Sequence, residues 1–142
     1  MTKPLWVLDT DHLSLLQRAH SEVIARLRSL PLEQRATTIV NAEEQLRGRF
    51  AMIGRARQAS EWVTTYSAFQ ATLRDLMPLR LLPFDDAAAI EFLRLKSTLR
   101  QVGTQDLKIA AIVLSVGGIL VTRNQRDFAR VPDLKMADWT QP

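Results

Sequence analysis

Leu5-Trp6-Val7-Leu8-Asp9 is a run of four apolar residues with no polar alternation, closed by an acid. A strand with one face in water alternates; an unbroken apolar strand is buried on both faces, as in a parallel sheet covered by helices. The run therefore predicts a buried strand. Asp9 falls where open parallel sheets build their sites, just beyond a strand's carboxyl end.

Outward from this strand the chain alternates. From Asp11 the pattern becomes helical, with Leu13, Leu15 and Leu16 on one side, and a second short helix fits Ser21 to Leu30 before Pro31 stops it. Thr37-Thr38-Ile39-Val40 reads as the second strand from its β-branched content. Asn41 suits the N-cap of a helix running to about Gly54, with Glu44 in its first turn. A long helical segment is expected from Ala56 to about Met77, where Trp62, Phe69, Leu73 and Leu76 recur at helical spacing and Pro78 follows. Leu79 to Leu82 is a weaker third strand. Asp85 or Asp86 caps a helix whose apolar face is marked by Ile90, Leu93 and Leu99, and Gly103 breaks it.

Thr104 is read as the cap of the helix Gln105 to Ser115, which Gly117-Gly118 ends before the strand Ile119-Leu120-Val121. Asn124 to Ala129 fits a helical turn, and Leu134-Lys135-Met136 a final edge strand. Strands alternating with helices imply right-handed crossovers. The expected fold class is α/β: one three-layer α/β/α domain across residues 1–142 around a central, mainly parallel sheet, with the helical insert between the second and third strands as its most variable part.

A chain of 142 residues is long enough to bury one sizeable core, roughly two-thirds of its unfolded surface. Its 46% hydrophobic and 24% charged residues, without repeats or low-complexity tracts, describe an ordinary globular protein. Cysteine is absent, so disulfides are excluded and any metal would be held by oxygen or nitrogen. The apolar run Leu5 to Leu8 is too short for a signal-peptide core or a membrane span, and a cytoplasmic protein with no membrane contact is expected. The net charge of +4 is carried mainly by arginine, with local clusters at Arg47, Arg49, Arg55, Arg57 and at Arg123, Arg126, Arg130. Such clusters suit phosphate or an acidic protein, although solvated helix faces also carry them.

Acids recur where the strands end. Asp9 follows the first strand, Glu44 lies within reach of the second, Asp106 opens the helix before the fourth, and Asp127 follows that strand after Thr122-Arg123-Asn124. Any one of them is explained by the partial positive charge of a helix N-terminus. Gathered on one rim they repel one another unless a cation or a basic partner intervenes. Oxygen ligands without cysteine favour a hard ion, Mg²⁺ or Mn²⁺, which acidifies water and neutralises phosphate charge, so phosphodiester hydrolysis is the natural reaction class. His12 and His20, eight positions apart, lack metal-pair spacing and are read as structural. No phosphate-cradling P-loop, G-x-S-x-G elbow or dinucleotide fingerprint is present.

The segments Leu8-Asp9-Thr10-Asp11-His12-Leu13, Glu44-Gln45-Leu46-Arg47-Gly48, Asp106-Leu107-Lys108-Ile109-Ala110-Ala111 and Val121-Thr122-Arg123-Asn124-Gln125-Arg126-Asp127-Phe128 resemble, in order and spacing, the PIN-domain signatures of VapC-type toxins, and Leu134 to Trp139 fits that pattern too. The resemblance implies an endoribonuclease that uses Mg²⁺ or Mn²⁺, is commonly a homodimer, and is silenced by a small antitoxin. By motif, Asp9 and Asp106 correspond to direct metal ligands and Glu44 to a ligand or water-orienting group, with Thr10 and Thr122 supporting them. The position two after Thr122 is often Asp in that family and is Asn124 here; Asp127 is the candidate to replace it as fourth acid. The competing function is a catalytically weak PIN domain serving as an RNA- or protein-binding module, against which the three intact acids argue.

Overall fold

The computed structural model describes residues 3–142. Strand β1 (Trp6–Leu8) lies at the centre of a five-stranded sheet, between β2 (Arg35–Thr38) and β4 (Ile119–Val121), with β3 (Arg80–Leu82) and β5 (Lys135–Ala137) at the edges; the order is β3-β2-β1-β4-β5. Every pairing is parallel, with Leu8 opposite Thr37 on one side and Val121 on the other. Register thus sets Asp9, Thr38 and Thr122 side by side, each one residue beyond its paired strand position.

Successive side chains of a strand point to opposite faces, and β1 feeds two cores. Val7, with Ala36 and Leu120, joins Leu95, Ile109, Ile112, Val113 and Phe128 on one face. Leu8 and Val121 join Leu13, Leu15, Val23, Leu27, Leu79 and Trp139 on the other. Helices α1 (Thr10–Gln17) and α2 (Ser21–Arg28) supply the second core, and α5 (Asp86–Thr98) and α6 (Thr104–Val116) the first. In α6 Leu107 and the run Ile109 to Val113 are buried, and a helix apolar on most sides must lie inside.

Several boundaries and faces differ from the sequence expectation. The second strand ends at Thr38, and α3 spans Ile39–Arg55 rather than starting after Asn41. The Thr38 hydroxyl accepts the Asn41 amide at 3.0 Å, so Thr38 is the cap and Asn41 lies inside the helix. Glu44 consequently sits on the second turn, not the first. Helix α4 (Ala59–Leu76) starts three residues later than expected because Gln58 and Glu61 form a capping box. Its face against the protein is anchored by Thr65 and Thr72, while Trp62 and Leu73 are exposed. In α5, capped by Asp85, the exposed residues are Ile90 and Leu93, and the buried ones are Ala88 and Leu95. Gly103, not Thr104, occupies the cap position of α6. Helix α7 is the turn Gln125–Phe128, and the last strand, expected at Leu134–Met136, is β5, which ends one residue later at Ala137.

Gly117 closes α6 in the left-handed conformation, φ +63°. A side chain there strains the backbone. Gly117→Ala is expected to lower unfolding free energy by about 1–2 kcal/mol without changing the fold, as measured by urea denaturation; an unchanged midpoint would mean that the turn rearranges freely.

Candidate functional site

Asp9 occupies the N-cap position of α1, yet its side chain makes no cap hydrogen bond. Its carboxylate is 7% exposed and bound from both neighbouring strand ends: Asn41 Nδ2 donates to Oδ1 at 2.8 Å and the Thr122 hydroxyl donates to Oδ2 at 2.7 Å. Burial pushes the Asp9 carboxyl above its ordinary range, and the charge of Asp11 adds to that, against the opposing bonds from Thr122 and Asn41.

Asn41 reaches further, donating to Thr10 Oγ1 at 3.0 Å, and Thr10 donates to Glu44 Oε1 at 3.2 Å. Glu44 is raised by burial first and then by the charges of Asp9, Asp106 and Glu43. Asp106, on the first turn of α6, is raised by burial and by Asp9 and Asp127. Asp9, Glu44 and Asp106 therefore share one electrostatic neighbourhood, and Asp127 of α7 adjoins it through Asp106. Asp127 makes no ion pair with Arg123 or Arg130 among the described residues. Asn124 caps α7 by position only; its amide donates to Thr122 Oγ1 at 3.0 Å.

Asp11 and Asn41 are the residues that sequence reasoning did not assign to the site. Asp11 Oδ2 accepts the Arg123 amide at 3.0 Å and lies 3.2 Å from the Thr122 hydroxyl, whose single proton goes to the nearer Asp9. Burial would raise Asp11, but His12 and these bonds outweigh it and hold the carboxyl below its usual range. His12, fully buried, lies 2.6 Å from Asp11 through Nδ1 and accepts the Trp139 amide on Nε2 at 3.2 Å, so its proton sits on Nδ1. That is a structural role, as expected; His20 likewise accepts the Val23 amide at the start of α2. A signal for Asn41 did exist: Asn41, Glu44, Gln45 and Arg49 recur every three or four residues, a polar stripe where an inward helix face is normally apolar.

Among the described residues no three acidic or histidine side chains converge into a ready-made ion cage. The donor set nonetheless fits a water-rich hard cation, because Mg²⁺ keeps several waters and is commonly held by one or two carboxylates. Carboxylates raised by burial and then by mutual repulsion are the groups such a charge would relieve. Among those same residues no helix is long and apolar enough to cross a membrane.

The raised carboxyls set the sign of a pH dependence. An acid with a higher pKa folded than unfolded binds more protons in the folded state between the two values, so stability falls as pH rises through that window and the penalty persists above it. The metal-free protein is therefore expected to lose stability from about pH 4, the ordinary carboxylate range, toward neutrality, while lowered Asp11 acts oppositely as pH falls below that range. Asp106→Asn, a partly exposed position with no side-chain hydrogen bond, is expected to stabilise at neutral pH by roughly 0.5–1 kcal/mol after solvent screening and to flatten the slope. Denaturation across pH measures both; gross unfolding of the variant would show instead that this carboxylate holds the end of α6.

The family model of the PIN domain matches residues 7–134. The chain is similar to ribonuclease VapC1 of Haemophilus influenzae, 24% identical over 143 residues that take in 96% of this chain and 99% of that protein. It is 29% identical to the tRNA(fMet)-specific endonuclease VapC of Salmonella typhimurium over 119 residues, 72% of this chain and 89% of that protein. In structure it superposes on a chain of the DNA-bound VapBC complex of Salmonella typhimurium with a TM-score of 0.81 at 21% identity, covering 96% of this chain and 99% of the other. The matched span runs from the central strand to the residue before β5 and takes in Asp9, Glu44, Asp106 and Thr122: this chain belongs to the PIN domain family.

Proposed function

We propose that this chain, acting as one domain, is a VapC-type endoribonuclease dependent on Mg²⁺ or Mn²⁺, and the toxin of a toxin–antitoxin pair. The observation that carries the reading is the gathering of Asp9, Glu44 and Asp106 beyond the carboxyl ends of a parallel sheet, each with its carboxyl raised. The names of the relatives support it. Asp9 and Asp106 would hold the ion, which when bound supplies positive charge to the phosphate and acidifies water. Glu44, held through Oε1 by Thr10, keeps Oε2 to orient the attacking water and take its proton. Water would add to phosphorus as its proton passes to Glu44, and one P–O ester bond would break, its electron pair leaving on the sugar oxygen, which takes a proton from solvent. Thr122 and Asn41 keep Asp9 in place, and Asp127 or the neutral Asn124 would complete the coordination.

A nuclease directed at cellular RNA needs restraint. An antitoxin placing a basic side chain among Asp9, Glu44 and Asp106 would neutralise the same charges as the ion. The exposed apolar residues Trp62, Tyr66, Leu73 and Met77 at α4 support a groove for the rest of it. Exposed Ile90 and Leu93 on α5 support a homodimer.

The purified protein is expected to cut RNA only with Mg²⁺ or Mn²⁺, and Asp9→Asn to lower the rate at least about a hundredfold with the fold retained by circular dichroism. RNA left intact by the wild type in either metal would defeat the enzyme reading in favour of a binding module. Expression alone should arrest growth and co-expression with its antitoxin should restore it. For the fourth acid, Asp127→Asn is expected to raise the metal concentration for half-maximal cleavage severalfold and Asn124→Asp to lower it if residue 124 faces the ion; an unchanged titration for Asp127→Asn removes that residue from the site.

A further inference from the structure

Beside the acids, on the flank of α1 and α3, lies an open cleft of about 480 Å³ that includes Glu44 in its wall. Its remaining wall is amide, hydroxyl and guanidinium, with Met52 the one long apolar side chain. Arg49 is its most constrained member: Nη2 donates to Gln17 Oε1 at 2.6 Å and Nε donates to Thr72 Oγ1 at 2.9 Å. Gln17 in turn donates to Gln45 Oε1 at 2.6 Å, and Gln45 donates to Ser14 Oγ at 3.1 Å. This chain of neutral groups ties α1, α3 and α4 together and fixes one edge of the guanidinium, while Nη1 meets only the weak acceptor Met52 Sδ at 3.5 Å.

Arg49 therefore has a fixed orientation, no carboxylate counter-ion among the described residues and donor capacity left at Nη1, and it lines the cleft. By contrast Arg26, Arg47 and Arg94 are each paired with an acid on their own helix. Arg18 and Arg55, exposed at the rim, are likewise unpaired among the described residues. A planar fork held by neutral partners beside open space is suited to a phosphate oxygen.

We infer that this cleft is a phosphate subsite for single-stranded RNA, in which Arg49 grips a backbone phosphate flanking the one over Asp9, Glu44 and Asp106, and Arg18 and Arg55 follow the strand outward. The inference rests on the nuclease reading for its direction, from the acids into the cleft. A polyanion crossing a rim of carboxylates is repelled unless cations flank the crossing, and this cleft supplies them next to Glu44. RNA is favoured over an acidic protein segment because the cleft presents no aromatic or branched apolar wall for side-chain anchors.

The test is binding of a short fluorescein-labelled single-stranded RNA by anisotropy, in chelator so that no cleavage intervenes, over a range of salt. Arg49→Gln is expected to weaken binding about tenfold and to reduce the slope of log affinity against log salt by about 0.7, the contribution of one single-strand phosphate contact. A purely structural role for Arg49 would lower the melting temperature and leave that slope unchanged. Arg18→Gln and Arg55→Gln, exposed and outside the hydrogen-bonded chain, should lower affinity and slope with melting unchanged, so the test stands even if Arg49→Gln fails to fold; Arg94→Gln on α5 should change nothing. RNA binding that is absent, or unaffected by the cleft variants, overturns the subsite, as does loss of antitoxin binding alone. If binding follows Arg49 but the wild type never cleaves RNA in Mg²⁺ or Mn²⁺, the nuclease reading fails and the subsite remains.

Discussion

A carboxylate buried at the end of the central strand is the constraint around which this molecule is arranged. Burying an ionised group without partners is costly, and Asp9 is nearly inaccessible. Its partners come from the ends of both flanking strands, Asn41 just beyond β2 and Thr122 just beyond β4. The parallel register that brings those ends level with β1 is thus a requirement of the site as well as a product of the apolar strands. Two strands that slipped against each other would leave Asp9 with half its hydrogen bonds.

What this arrangement leaves unsatisfied is charge. Asn41 and Thr122 neutralise the hydrogen-bonding needs of Asp9 but bring no positive charge, and Glu44 and Asp106 add their own. Arg49, which lines the same cleft as Glu44, is held by an amide and a hydroxyl rather than by an acid. Positive and negative groups are kept apart across the mouth of the cleft, where an internal ion pair would have cancelled both. Such separation sacrifices stability within the isolated chain and preserves both fields for a ligand.

How much of this was legible follows from which signals are local. The unbroken run at Trp6–Leu8 and the glycine closing α6 depend on adjacent residues, and both elements stand where the sequence puts them. The boundary between β2 and α3 was not legible, since Thr38, Ile39 and Val40 carry strand propensity while packing and the Thr38 cap place the last two in a helix. The apolar spacing in α4 and α5 was real, but it marks a core only where another element covers it; Trp62, Ile90 and Leu93 face solvent in this chain. For the site, Asp9, Glu44 and Asp106 could be grouped because parallel topology collects strand ends, whereas Thr10 and Thr122 came from the family resemblance. Asn41 was missed although it heads a polar helix stripe, because an asparagine after a strand looks like a helix cap whether or not its amide is turned to a carboxylate.

The bond between the Trp139 amide and His12 has a consequence in time. His12 is coupled to Asp11, Asp11 to the Arg123 amide, and Thr122 to Asp9, so residues from the two ends of the chain close one hydrogen-bonded loop. A ribosome adds Thr122 to the chain 113 residues after Asp9, and Trp139 later still. Until those residues emerge, the growing chain carries Asp9 and Asp11 without the Thr122 hydroxyl and the Trp139 amide that complete their alignment.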